Sequence, residues 1–263
     1  LDKIDLGLLL NEVSISKIYK KKREGESYIR QFFMTDIHGD YNAMQLLINH
    51  VSFDPKKDHI VFGGDMIDRG KDSAKVLKSI KLLCEQHPDH VKAVIGNHEE
   101  MMSWYYQSAL TDTMWLLHGG LNSLKSFNKT FNSNFEGKEV LNWACNLPIY
   151  VEDERFIYTH AGLDPLECIE KQSRNVLWMS EAQFYKFYKA DILALTNGKS
   201  IIHGHTPVER IWFDGARMNC DMGSSSYQVI EERGLGLVDL TAMEYYVYKP
   251  FKNKIEHFRI RQH

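Results

Sequence analysis

Five short segments carry side chains that bind metals or move protons. They present Asp36 with His38, Asp65 with Asp68, Asn97 with His98, His160, and His205. Carboxylate oxygen and imidazole nitrogen suit borderline-hard divalent ions such as manganese, iron, zinc or cobalt. The set is large enough for two ions. Two ions about 3.5–4 Å apart need a bridging ligand, and a carboxylate bridges through its two oxygens. Asp65, central in chain order, is the natural candidate. One histidine in an apolar setting is more often a hydrogen-bonded core residue than a ligand. Here all five segments repeat one placement.

That placement is the end of a short apolar strand. Residues 28–34 predict a buried strand that runs straight into Asp36 and His38, followed by a helix over 42–51. Residues 60–62 predict a second strand ending in Gly63-Gly64-Asp65. Asp72 then predicts an N-cap for a helix with Val76, Leu77, Ile80, Leu83 and Cys84 on one face, stopped near Pro88. A third strand over 91–95 delivers Gly96-Asn97-His98-Glu99. Three strand-loop-helix units imply helical crossovers. Polar residues at the carboxyl ends of such strands are where open α/β sheets place ligands. Residues 99–147 predict mostly helix, broken at Gly119-Gly120. Strands at 156–159 and 201–202 lead to His160 and His205, and a Tyr- and Phe-rich helix over 181–195, its aromatics expected to pack, lies between. Strands at 210–213, 216–220, 227–230, 235–240 and 245–248 suggest an antiparallel second sheet.

Composition excludes several classes. The 263 residues carry a net charge of −3, so no global field draws nucleic acid, and none is expected as a partner. Cys84, Cys145, Cys168 and Cys220 form no CxxC pair, which argues against a zinc knuckle or a disulfide scaffold. Reduced thiols in a cytoplasmic protein are the simple expectation. The run Leu8-Leu9-Leu10 is far too short to span a bilayer, so no transmembrane segment is expected. The basic stretch over 17–23 predicts a solvated arm. An extension over 1–27 followed by one domain over 28–263 is the simplest division.

The segments Asp36-Ile37-His38-Gly39, Gly64-Asp65-Met66-Ile67-Asp68-Arg69-Gly70, Gly96-Asn97-His98-Glu99, His160-Ala161-Gly162 and Gly204-His205-Thr206-Pro207 resemble an ordered motif set. It is that of the phosphoprotein phosphatase family of metallophosphoesterases, closest to the compact bacterial and phage lambda phosphatase branch. The resemblance covers roughly residues 28–240. It implies an α/β fold, a β-sandwich of two mixed sheets flanked by helices. It implies two divalent ions, manganese first, with iron or zinc also suited. Asp36 and His38 would hold one ion, Asp65 would bridge, and Asn97, His160 and His205 would hold the other. His98 would be the general acid, oriented by Asp68. Arg69 would clamp the substrate phosphate, with Asn97 also facing it. The implied activity is hydrolysis of phosphate monoesters on a phosphoprotein, on Ser/Thr or Tyr, by direct attack of a hydroxide shared between the metals. An alkoxide leaves badly without a proton, and a positioned acid contributes typically 10²–10⁴-fold.

The chain departs from that pattern twice. Ile95 and Ser180 stand where the family has phosphate-binding arginines. Either Lys71 or Arg174 substitutes, or the substrate needs less help, as phosphotyrosine does. A dinucleoside polyphosphate hydrolase is the alternative enzyme, although such enzymes more often have Asp where Glu99 stands. A catalytically silent binding module on the same fold is the alternative of another class. His203 could support His205 from the same strand face, although packing is the simpler expectation. His50, His59, His87, His90, His118, His257 and His263 are expected at the surface or in packing.

Overall fold

In the computed structural model, residues 29–108, 113–131 and 133–262 are described. The basic stretch at 17–23 and the extension over 1–27 lie outside them. The described chain opens with β1 (Gln31–Met34), α1 (Tyr41–His50), β2 (His59–Phe62), α2 (Ser73–Gln86), β3 (Val91–Ala93) and α3 (Asn97–Gln107). β1 pairs with β2 and β2 with β3, both in parallel. Parallel neighbours require crossovers, and α1 and α2 supply them. Residues alternate along each strand between two cores. Phe32 and Met34 of β1, with Ile60 and Phe62 of β2, pack with Val76, Leu77 and Ile80 of α2. Phe33 and Val61 enter a different core with Tyr158, Ile202, Met218 and Val238.

A π-helical turn (Leu116–Gly120), α4 (Leu121–Thr130) and α5 (Asn134–Cys145) follow. The expected break falls in the turn, where Gly119 has φ 110°. Next come β4 (Tyr150–Glu152), β5 (Phe156–Thr159), a 3-10 turn (Arg174–Trp178), α6 (Glu181–Phe184), α7 (Lys189–Leu195) and β6 (Ser200–His203). The chain continues through β7 (Trp212–Phe213), β8 (Arg217–Asn219), β9 (Leu235–Asp239), β10 (Glu244–Lys249), β11 (Lys254–Arg259) and β12 (Arg261–Gln262). Two six-stranded sheets result, in the orders β11-β10-β9-β1-β2-β3 and β12-β7-β8-β6-β5-β4. Both mix parallel and antiparallel pairs. Phe33, Val61, Tyr158 and Ile202 fill the space between them, with α2 outside the first sheet and α6 and α7 outside the second. The fold is therefore the expected pair of mixed sheets flanked by helices.

Four details differ from expectation. The first strand begins at Gln31, because Arg30 turns aside to pair with Asp58 at 2.6 Å. Asp72 sits at the N-cap of α2, but its carboxylate pairs with Lys75 at 2.9 Å and makes no cap bond. The helix over 181–195 is two, interrupted at 185–188; Phe184 is buried while Tyr188 stands exposed. The tail does not form a sheet of its own. β9, β10 and β11 extend the first sheet and β7, β8 and β12 the second, while 227–230 holds no strand. Alternation reports a strand but not its partner, which explains the last error. Among the described residues no helix is long and apolar enough to cross a membrane.

Candidate metal centre

Loops after β1, β2, β5 and β6, with the first turn of α3 that follows β3, converge at one edge of the two sheets. Their backbone is unusual. Asp36, His38, Asp65, Asp68, Arg69 and His205 all have positive φ, between 47° and 75°. Each such residue costs about 1–3 kcal/mol and persists only where surroundings enforce it. Gly64 shows how tightly the loops approach, since a Cβ there would lie 2.6 Å from the Gly96 nitrogen. Glu99 ties the loops together. Its two oxygens accept from the backbone N–H groups of Asp65, Met66 and Gly96 at 2.8–2.9 Å. Burial and the neighbouring Asp65 push its carboxyl up to about 7. Glu99 therefore braces the site from behind and does not face substrate.

Two groups of side chains have ligand atoms close enough to share an ion: His38, Asp65 and His98, and Asp65, His160 and His205. Asp65 is common to both. Burial would raise its carboxyl, but the surrounding His160, His98, His38 and His205 outweigh burial and hold it low. Asn97 joins the second group, with Oδ1 2.9 Å from His160 Nε2 and 3.1 Å from His205 Nδ1. Asp36 is buried but belongs to neither group. Its Oδ2 accepts from the Thr35 hydroxyl at 2.6 Å and from the His205 N–H at 3.0 Å.

The donor set fits divalent cations. His160 Nδ1 lies 2.9 Å from the Gly63 carbonyl and His38 Nδ1 2.9 Å from that of Ile67. Each ring therefore donates Nδ1–H and turns the lone pair of Nε2 inward. Metal binding needs neutral imidazole. Burial, then Arg69, holds His38 well below its ordinary value; burial, then His160, brings His205 down to about 4. His160 Nε2, His205 Nδ1 and Asn97 Oδ1 thus meet within 3.1 Å, and with the His205 proton on Nε2 all three offer lone pairs to a cation.

Beside this cluster stands a hydrogen-bonded His–Asp pair, chemically able to move a proton. His98 Nδ1 lies 2.6 Å from Asp68 Oδ2. Burial would lower the imidazole, but Asp65 and Asp68 outweigh burial and hold it above its ordinary value. Asp68 is itself locked. The Trp115 indole N–H reaches both its oxygens at 2.8 and 3.0 Å, and the Ser123 hydroxyl donates to Oδ1 at 2.6 Å. The Arg69 guanidinium touches His38 Nε2 at 2.7 Å, His98 Nε2 at 3.2 Å, and the Ser226 hydroxyl.

Neither expected substitute for the absent arginines contacts the candidate ligand cluster among the described hydrogen bonds and ion pairs. Arg174 donates to the Cys145 carbonyl at 3.0 Å, and Lys71 is exposed beside Asp40. Ile95 is core and Ser180 caps α6. His203 is a packing residue, brought down to about 3 by burial and set against Phe184 and Tyr185. The positive φ of His205 ends the strand alternation that would have put both rings on one face.

Sequence reasoning missed Trp115, Ser123, Ser226 and Asp221. Asp221 is fully buried after β8, and its Oδ2 has no partner among the described residues. Burial and nearby Asp36 raise its carboxyl. Its position after a strand was the same signal that marked the other loops.

A sandwich of two mixed sheets, with buried Asp, His and Asn converging from its strand ends, defines a fold with a candidate metal-binding centre. The chain belongs to the calcineurin-like phosphoesterase family, whose sequence model matches residues 29–234. A symmetrical bis(5'-nucleosyl)-tetraphosphatase of Buchnera aphidicola subsp. Acyrthosiphon pisum (strain 5A) is 32% identical over 138 residues, or 51% of this chain. The aligned part spans 44% of that curated relative. A protein serine/threonine phosphatase from Saccharomyces cerevisiae superposes with a TM-score of 0.60 at 16% identity, covering 92% of this chain and 83% of that one. A cold-active protein-tyrosine phosphatase of a psychrophile, Shewanella sp., gives 0.55 at 18%, covering 89% and 81%. These two structures show shared fold alone.

Proposed function

We propose that this chain hydrolyses dinucleoside polyphosphates, releasing nucleoside diphosphates. The observation that carries the reading is that, among the described hydrogen bonds, Arg69 alone brings a guanidinium against the candidate ligand cluster, with Ile95 and Ser180 turned to structural work. A nucleoside diphosphate is a far less basic leaving group than an alkoxide, so an anhydride needs fewer cations at the reacting phosphate. The named relative in Buchnera supports the same reading. The sequence objection, Glu99 in place of Asp, loses its weight because Glu99 binds backbone and not substrate.

Asp36, His38, Asp65, Asn97, His160 and His205 would hold two divalent ions. Bound there, such a pair offsets phosphate charge and lowers the pKa of water to near neutrality. Arg69 binds two phosphate oxygens side by side, which its planar fork allows and Lys does not. A water that has given one proton to solvent bonds through its oxygen to phosphorus as the bridging P–O bond breaks. His98 delivers a proton to the departing oxygen, and Asp68 keeps Nδ1 occupied so that Nε2 faces the substrate. Trp115 and Ser123 hold Asp68 still.

A second reading is a phosphoprotein phosphatase, with phosphotyrosine favoured over phosphoserine or phosphothreonine. The buried acid pair favours it, because a phosphate monoester needs the proton more. A silent binding module is disfavoured by the same pair. The test is incubation with manganese and diadenosine tetraphosphate, beside phosphotyrosine and phosphothreonine peptides. ADP as the nucleotide product, at higher kcat/KM than either peptide, is expected. Peptide turnover with the tetraphosphate untouched would replace the first reading with the second.

A further inference from the structure

We propose that Trp104 and Trp178 form a stacking platform for a nucleobase of the substrate. This rests on the nucleotide reading above and adds a base-binding site to it. The two indoles lie parallel, 5.6 Å between centroids and 5° between planes. Trp104 keeps 36% of its surface in water. Trp178 is pinned, its N–H donating to Glu100 Oε2 at 2.7 Å.

The pair adjoins the metal cluster through two independent connections. Along α3, Asn97, Glu100 and Trp104 follow at i, i+3 and i+7, so they share one face of the helix. Seven residues raise Trp104 about 10 Å above Asn97. That matches the reach of a nucleoside diphosphate from its outer phosphorus to its base. From Trp178 the chain passes Met179 and Ser180 to Glu181, whose N–H donates to the Thr206 hydroxyl at 3.1 Å, next to His205. The tryptophan pair is therefore tied to the metal-binding loops by α3 on one side and by the turn into α6 on the other. Every base has a π-face, so an indole platform recognises purine without hydrogen bonds. In this segment the family's arginine place is taken by Ser180, which caps α6, while Trp178 is held by Glu100.

The test compares wild type with Trp104→Ala and Trp104→Phe, in manganese, on diadenosine tetraphosphate and on p-nitrophenyl phosphate, which is too short to reach the platform. The ratio of kcat/KM for the first substrate to that for the second should fall about tenfold or more in Trp104→Ala, the loss expected for one stacked base. Trp104→Phe should recover most of it. An equal loss on both substrates, or no change in the ratio, overturns the platform. Binding is followed separately by titrating ADP against tryptophan fluorescence. A titration midpoint that rises in Trp104→Ala and is largely retained in Trp104→Phe supports the platform even if the tetraphosphate is not cleaved, in which case only the functional reading falls. Identical quenching in Trp104→Ala and wild type removes the platform.

Discussion

Burial would lower the His98 imidazole, but two carboxylates outweigh it and hold the ring above its ordinary value. Asp65 and Asp68 both favour the charged ring, and Asp68 also accepts its Nδ1–H at 2.6 Å. Asp68→Asn removes one of those charges and leaves the shape. The imidazole must then lose its proton at lower pH. An acid active only when protonated works over a narrower range, so the alkaline limb of kcat should move to lower pH. Phenyl phosphate shows this best, since its leaving group needs the proton. A profile that stays in place would remove Asp68 as the partner that sets the acid. His98 and Asp68 were legible from residue type and the shared loop position. Trp115 and Ser123 were not, because they lie 47 and 55 residues from Asp68 and no local pattern ties them to it.

At the scale of elements, the π-helical turn Leu116–Gly120 is the support behind Arg69. Gly119 at φ 110° presses its α-carbon against that residue, and a Cβ there would lie 2.7 Å from the Arg69 nitrogen. The Asn122 side chain donates to the Arg69 carbonyl at 2.7 Å from the next turn. Gly119→Ala should destabilise the protein by about 1–3 kcal/mol, since both the backbone angle and the space oppose a side chain. It should also raise KM more than it lowers kcat, because Arg69 shifts while the acid pair stays. Denaturant unfolding and steady-state kinetics measure the two effects. Wild-type stability and KM together would show that the turn does not position Arg69. The Gly119-Gly120 pair announced a break in helix, yet nothing in its sequence named the arginine it faces.

For the molecule as a whole, the metal cluster is a store of unfavourable geometry. Six loop residues with positive φ and a knot of inward lone pairs come together at the sheet edge. Divalent ions that bind only the folded chain should therefore stabilise it measurably. At a hundred times Kd the gain is about 2.7 kcal/mol, and each kcal/mol raises Tm by roughly 2–4 °C in a chain of this size. Manganese added to chelator-treated protein should raise Tm by several degrees. A melting curve indifferent to manganese, iron and zinc alike would count decisively against a metal pair.

Residue type and order alone determined the chemistry available and the strands that deliver it. Asp, His and Asn after apolar runs are a local signal, because strand burial and loop polarity are both written in adjacent residues. Which strands are neighbours was decided only in three dimensions, since β9 enters beside β1 from more than two hundred residues away. The same holds for the locks on Asp68, the bracing by Glu99 and the meeting of Trp104 with Trp178. Contacts between distant segments depend on how two sheets and their helices pack, and no window along the chain contains that information.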